Sequence, residues 1–339
     1  MPNTFKFING PDYVENSQGP LINSDVVFLH DHFPYYPVNY NQTKEYNYNK
    51  LKSNMLLENC CKLDKTIWIY DSYMCCESTK NSIFMPAFTM FHDFYDPQHI
   101  QPKRKYKFVT FNNKSRLHRI YCSAWIKKHF NQQEYFYTCR FNVEDEHITE
   151  HLHFIENPGP GLPFKELNTG KCGEIVSGDD FRNVFYEYST DAVFQIVNEN
   201  AFWEDACHIS EKTAWAILSY NIPIVTGYKI AEKMEQVGFD MFTDIVDYSS
   251  QHERNPWIRT KKLLHDNLKV LKDAHNILNN KILYRLNKNY NLLTDPTIDK
   301  IALKKLNTPK MLEIYQDIMY NKNIRETLEA TGNYFIELN

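Results

Sequence analysis

The chain has 339 residues, 42% of them hydrophobic and 24% charged, with a formal net charge of −4. That length exceeds one typical core and points to two domains, and the apolar and charged fractions are those of a soluble globular protein. So small a net charge leaves no global electrostatic footprint for nucleic acid, although a local basic patch stays open.

Residues 1–24 read as irregular, with turns at Gly10-Pro11 and Gly19-Pro20. The N-terminal MPNTFKFINGPDY has no basic stretch leading into an apolar run, so no signal peptide is expected. Asp25–His30 is a short apolar strand ending in His30-Asp31-His32. A Tyr/Asn-rich loop follows to about residue 47, then a helix over 48–63 with Leu51, Met55, Leu56 and Cys60 on its apolar face. Thr66–Tyr70 is a second buried strand, closed by Asp71-Ser72, and strand–helix–strand in this order predicts a βαβ unit. Ile83–Phe88, which contains Met85-Pro86, reads as an edge strand.

A polar, proline-punctuated link lies at 96–104, with Asp96-Pro97, Gln101-Pro102 and Lys103-Arg-Lys105. Beyond it Lys107–Phe111 is a strand, Asn112–Arg119 a basic turn, and an amphipathic helix runs to about His129. A basic turn between a strand and the next helix can set Arg or Lys beside a bound phosphate; a solvated helix start is the plainer reading. Tyr135–Cys139 is another strand, and 144–192 is loop-rich around Pro158-Gly-Pro-Gly161. Within that stretch Glu144–His153 contains H-x-x-E-H (His147, Glu150, His151), a spacing that binds zinc on a helix. The run has no apolar face to seat such a helix and reads as a solvated charged segment.

Asn198–Gly227 carries the densest chemistry. Phe194, Ile196 and Val197 lead in as a buried strand, Thr213–Tyr220 is a compact helix, and Ile222–Gly227 returns as a strand. Polar groups at a strand exit and at a helix N-terminus are where α/β folds take up ligands, anions above all. Ile230–Val237 is a helix stopped by Gly238, and Phe239–Asp247 is a strand or turn. From 256 to about 289 one long helical pattern repeats Leu264, Leu268, Leu271, His275, Leu278, Ile282 and Leu286. Core packing, or a cover over an interdomain cleft, is the favoured reading of that stripe, with a partner-binding coiled coil as its alternative. Residues 297–334 are further helices.

The eight cysteines, at 60, 61, 75, 76, 122, 139, 172 and 207, form no C-x-x-C, so they make no zinc framework and read as reduced thiols of a cytoplasmic protein. No window reaches about 18 apolar residues, so no membrane span is expected. The 23 Tyr and 22 Phe suit clefts that stack on sugars or bases, and equally a plain core.

The run Phe194-Gln-Ile-Val-Asn-Glu199-Asn200, His208-Ile-Ser-Glu211-Lys212 and Asn221-Ile-Pro-Ile-Val-Thr-Gly227 resembles the donor-site signature of the α1,3/4-fucosyltransferase family. That signature is an apolar strand, a Glu-Asn pair, a short loop, Tyr-x-Thr-Glu-Lys opening a helix, then Pro-Ile-x-x-Gly. Upstream, Lys107–Asn113 with Arg116 resembles the family's strand, Ser-Asn turn and following Arg, and Met85-Pro86 resembles the Met-Pro that precedes this strand in bacterial members. The resemblance covers about 103–127 and 193–227. It implies a GT-B-like α/β fold: two Rossmann-type domains facing a cleft, with C-terminal helices. On this chain it gives an acceptor-side domain at 1–100, a donor domain at 103–255 and a helical segment at 256–339.

The activity implied is inverting transfer of a sugar, fucose first, from a GDP-sugar to a glycan hydroxyl. Glu211 suits the ribose diol as an acceptor, Lys212 and Arg116 suit the diphosphate and the charge that builds on the leaving nucleotide, and Asn200 can donate to a phosphate or sugar oxygen. Ser210 is an N-cap type that adds the free N–H groups of the helix start. With these cations, and no D-x-D motif to hold one, a divalent metal is not expected and no cofactor beyond the co-substrate is required. The chain departs from the family where the Asn200–Glu211 loop is longer, where His208 stands for Tyr and where Ser210 replaces Thr. The longer loop, with Phe202 and Trp203 in it, and His208 lie where sugar and base would sit, so donor identity is decided there. The family's general base is a Glu just after an N-domain strand; here Asp71 comes first, then Asp31, then Glu77. Two alternatives stand beside this reading. One is a transferase with another donor and a nucleic-acid base as acceptor, using the Lys103–Lys107 and Lys127-Lys128 clusters; the other is a non-catalytic nucleotide-sugar-binding module.

Overall fold

The computed structural model describes residues 5–9, 26–30, 67–72, 74–76, 82–86, 88–89, 102–112, 117–139, 188–199, 206–253 and 256–320, with residues 322, 326 and 338. They form an α/β fold divided into two compact units. The first gathers Met1–Met90, Asp205–Ser210 and Asp295–Asn339; the second gathers Phe91–Glu204 and Glu211–Thr294.

In the first unit, β1 (Phe5–Asn9), β2 (Val26–His30), β3 (Ile67–Ser72) and a fourth strand after the short β4 (Met74–Cys76), β5 (Ser82–Pro86), make a parallel sheet in the order β1-β2-β3-β5. Near-continuous apolar runs such as VVFLH suit parallel strands. β5 is the edge strand its Pro86 announces. β3 runs past the expected Tyr70 to Ser72, so Asp71 lies within the strand, opposite Met85, rather than after it. The helix expected over 48–63 falls outside the described residues.

The second unit opens with β6 (Tyr106–Asn112), α1 (Leu117–His129), β7 (Tyr135–Cys139) and β8 (Ala192–Val197). The chain then contributes β9 (Ala206–His208) to the first unit, antiparallel to β4. It resumes in the second with α2 (Glu211–Leu218), β10 (Ile222–Val225) and α3 (Ile230–Val237). The sheet is parallel in the order β10-β8-β6-β7. Phe108, Val109, Phe194 and Ile224 are buried in it, with Phe108 stacked on Tyr135 at 5.5 Å and edge-on to Phe130 at 4.8 Å. Each such side chain contributes about 1.5–3 kcal/mol through apolar burial. α2 starts two residues earlier than expected, which puts Glu211 and Lys212 in its first turn. Gly238, at φ 124°, ends α3 where the sequence placed its stop. Of the strand or turn expected over 239–247, the chain takes the turn, at residues 243–245, and forms no strand there.

The long helix expected over 256–289 is broken into α4 (Pro256–Asp266), α5 (Leu268–Lys272), α6 (Ala274–Ile277) and α7 (Asn280–Leu293). Asparagine side chains compete for the backbone at two of the breaks. Buried Asn267 accepts the Asp247 N–H at 2.8 Å and donates to the Asp247 and Leu263 carbonyls at 2.8 and 2.9 Å. Asn279 caps α7, its Oδ1 accepting the Lys281 and Ile282 N–H groups at 3.0 and 3.2 Å. Leu264, Leu271, Ile282 and Leu286 are buried and belong to the core, Leu268 and Leu278 are half-buried, and His275 is exposed.

Two last helices, α8 (Ile298–Leu306) and α9 (Pro309–Tyr320), belong to the first unit. After α8 the Asn307 amide pairs with the free edge of β5, Nδ2 donating to the Phe84 carbonyl at 2.7 Å and Oδ1 accepting the Phe84 N–H at 2.8 Å. Buried Asp299 accepts the Thr89 N–H at 3.2 Å and the Thr89 hydroxyl. An exposed strand edge is thereby closed by side chains. Among the described residues no helix is long and apolar enough to cross a membrane.

Candidate functional site

In chain order the second sheet's strands are β6, β7, β8 and β10, and in space they run β10-β8-β6-β7. The chain steps from β6 to one side and then crosses to the other, so the order reverses between β6 and β8. In open α/β sheets the crevice at the carboxyl ends of two such strands is where ligands bind.

That edge is built of buried polar groups. Asn198, just past β8, donates through Nδ2 to Asn112 Oδ1 at 2.9 Å and Thr110 Oγ1 at 3.3 Å, both on β6. Asn112 Nδ2 in turn donates to Ser123 Oγ on α1 at 3.3 Å. Arg119, on the first turn of α1 and 2% exposed, donates to the Asn198 carbonyl at 3.1 Å. Strand ends leave carbonyls without a ladder partner, and a guanidinium supplies the donor. The same device recurs next door: Thr226, past β10, donates to the Val197 carbonyl, and buried Arg259 on α4 donates Nε to the Thr226 carbonyl at 3.2 Å. Arg259 also donates to the Glu253 carbonyl at 2.6 Å and lies over the Tyr228 ring at 5.7 Å. The Cys122 thiol, wholly buried on α1, is pushed up to about 12 by that burial, with the Asn198 amide pulling the other way.

Glu199, 1% exposed, accepts the Thr213 hydroxyl at 2.5 Å. Thr213 is the third residue of α2, so a carboxylate sits at a helix start, where the dipole favours it. Gln195 Nε2 reaches the Lys212 carbonyl at 3.5 Å, a second tie from β8 to this turn. Outside this inner layer, Lys212 and Glu211 pair with each other and are partly exposed. Gly227 closes the floor: a Cβ there would come 2.0 Å from Ile230 Cδ1 and 3.9 Å from Glu199 Cβ.

Among the residues expected to bind a donor, Glu211 and Lys212 share the first turn of α2 in the second unit. Ser210 directly precedes that helix, buried, and belongs with His208 to the first unit. His208 lies on β9 opposite Met74. Arg116 and Asn200 lie outside the described residues, as do Phe202, Trp203, Asp31, Glu77 and the H-x-x-E-H run. Asp71 is on β3 in the first unit. Among the described residues no group of three or more His, Cys, Asp or Glu is gathered for a metal. Of the inner layer, Asn112, Asn198 and Glu199 lie in the stretches that resemble the donor signature, but none of them, nor Arg119, Thr213 and Arg259, carried an expected role. Arg119 stood in the basic turn and Glu199 in the Glu-Asn pair; Arg259 had no signal beyond being an arginine within an apolar pattern. No known protein family, characterised protein or solved structure matches the chain.

Proposed function

We propose that the protein is a GT-B-type inverting glycosyltransferase that moves a sugar from a nucleoside-diphosphate sugar, GDP-fucose first among the donors, to a glycan hydroxyl. The observation that carries this reading is the coincidence of two independent lines. Of the residues that resemble the family's donor signature, Lys107–Asn112, Phe194–Val197, Glu211 and Lys212 fall on β6, β8 and the first turn of α2, and the sheet's order reverses between β6 and β8.

On this reading Lys212 meets the diphosphate and exchanges its Glu211 partner for a phosphate oxygen, which releases the Glu211 carboxylate to accept from the ribose hydroxyls. Arg116 adds a second cation, and both stabilise the nucleoside diphosphate as it leaves. The inner layer holds the frame: Arg119 fixes the β8 terminus through the Asn198 carbonyl, and Glu199 orients α2 through Thr213. Asp71, near the carboxyl end of a parallel strand, is the candidate base that takes the acceptor proton.

Thermal-shift titration against GDP, UDP, ADP and CMP sugars, with and without Mn²⁺, tests the reading. Stabilisation by one nucleoside-diphosphate class, lost in Lys212→Ala and Arg116→Ala, is the expected outcome. The Glu211–Lys212 pair is partly exposed and contributes about 0–1 kcal/mol to stability, so Lys212→Ala lowers affinity without unfolding the chain. An identical response to all four classes, or none, would sink the proposal.

A further inference from the structure

The ribbon of β4 and β9 sets two cysteines against each other. Its antiparallel register pairs Met74 with His208, Cys75 with Cys207 and Cys76 with Ala206. Directly opposed residues of an antiparallel pair have Cα atoms about 4.5–5.5 Å apart, whichever kind of position they occupy. Disulfides form across Cα separations of about 4.4–6.8 Å, so the register meets the distance either way. Strand alternation places Cys75 and Cys207 on one face of the ribbon and Cys76 with Ala206 on the other, which selects Cys75 over its neighbour. Cys207 is buried, and both strands belong to the first unit.

We propose that Cys75 and Cys207 form an oxidisable pair that closes to a cross-strand disulfide. Two S–H bonds break and one S–S bond forms; the two electrons and two protons pass to a peroxide, whose O–O bond is cleaved to give two waters. A small dithiol reverses the reaction by thiol–disulfide exchange and is itself oxidised to its disulfide. The bond joins points separated in the chain by β5, β6, β7 and β8, a long loop whose closure restricts the unfolded chain strongly. It also anchors the segment that leads, through Ser210, into α2.

The full chain is treated with hydrogen peroxide, its remaining thiols are alkylated in denaturant, and the protein is digested without reductant for peptide mass mapping. The expected product is one peptide pair joined through Cys75 and Cys207, abolished by dithiothreitol. Melting temperature should rise by several degrees on oxidation and return on reduction, in wild type and in Cys76→Ser, but not in Cys75→Ser. Linkage of Cys207 to Cys76, or recovery of Cys75 and Cys207 as alkylated thiols after oxidation, overturns the proposal. The mapping uses the wild-type chain, so the result does not depend on whether a variant folds.

Discussion

Asn198 spends its side chain on β6 and its carbonyl on Arg119, so one residue joins two strand ends and a helix. Asn198→Ala removes the donor to Asn112 and Thr110 inside a closed layer. Leaving buried acceptors unmet costs about 1–3 kcal/mol, which a urea denaturation midpoint should register as a clear loss. Gly227 makes a different demand, because Ile230 occupies the space a Cβ needs. Gly227→Ala should destabilise by about 1–3 kcal/mol through overpacking. Adding Ile230→Val removes the Cδ1 that makes the closest approach, so the double variant should recover part of the loss; equal stability of the single and double variants would show that the floor is not packed in this way.

Between α1 and α4 the aromatic cluster of Trp125, His129 and His265 sets a pH dependence. The His129 and His265 rings meet edge to face at 6.0 Å, Trp125 lies 5.1 Å from His129, and Tyr121 Oη is 3.3 Å from His265 Nε2. Burial lowers both imidazoles below 6.5, helped at His129 by His265, Lys128 and Lys272, and at His265 by Lys261 and Lys128 against the opposing pull of Asp266. From 6.5 downward the unfolded chain therefore binds protons that the folded chain resists. This contribution to stability is present above pH 6.5 and declines as pH falls toward the folded values. The urea midpoint should drop between pH 7 and pH 5 and drop less in the His129→Gln, His265→Gln double variant. A second fixed point is Arg285 on α7, which bonds Asp240 at 2.5 and 2.8 Å and Asp244 at 2.7 and 3.0 Å while lying over the Phe242 ring. Phe242 holds φ 58°, uncommon for a bulky residue, and its N–H is bonded to Asp240 Oδ1 at 2.8 Å. Arg285→Lys keeps the charge and loses the planar fork, and should cost about 1–2 kcal/mol by thermal unfolding.

Over the whole chain, both units are discontinuous: 295–339 joins the N-terminal strands, and 205–210 leaves the second unit for the first. The C-terminal segment acts on β5 through Asn307, so the edge of the first sheet is finished by residues more than two hundred positions away. In Asn307→Ala the Phe84 amide loses its acceptor. Its hydrogen exchange should quicken roughly tenfold, the equivalent of about 1–1.5 kcal/mol, while the β6 and β8 amides keep their rates.

What the sequence determined by itself is what neighbours along the chain can encode. Apolar runs marked β2, β3, β6, β7, β8 and β10, and Gly238 marked the stop of α3, because burial period and a left-handed cap are local properties. The resemblance drew Glu211, Lys212 and the Glu199-Asn200 pair to one stretch for the same reason. Only the tertiary structure decided the rest. Strand order, and with it the reversal between β6 and β8, rests on backbone hydrogen bonds that any apolar strand offers equally. The breaks at Asn267 and Asn279 differ in kind: Asn279 caps locally, whereas the Asn267 amide is held by the backbone of Asp247, which comes from another part of the chain. Arg119 and Arg259 read as ordinary basic residues until two strand ends bring them carbonyls to bind. A buried charge acquires its meaning from the groups that surround it, and those groups come from distant parts of the chain.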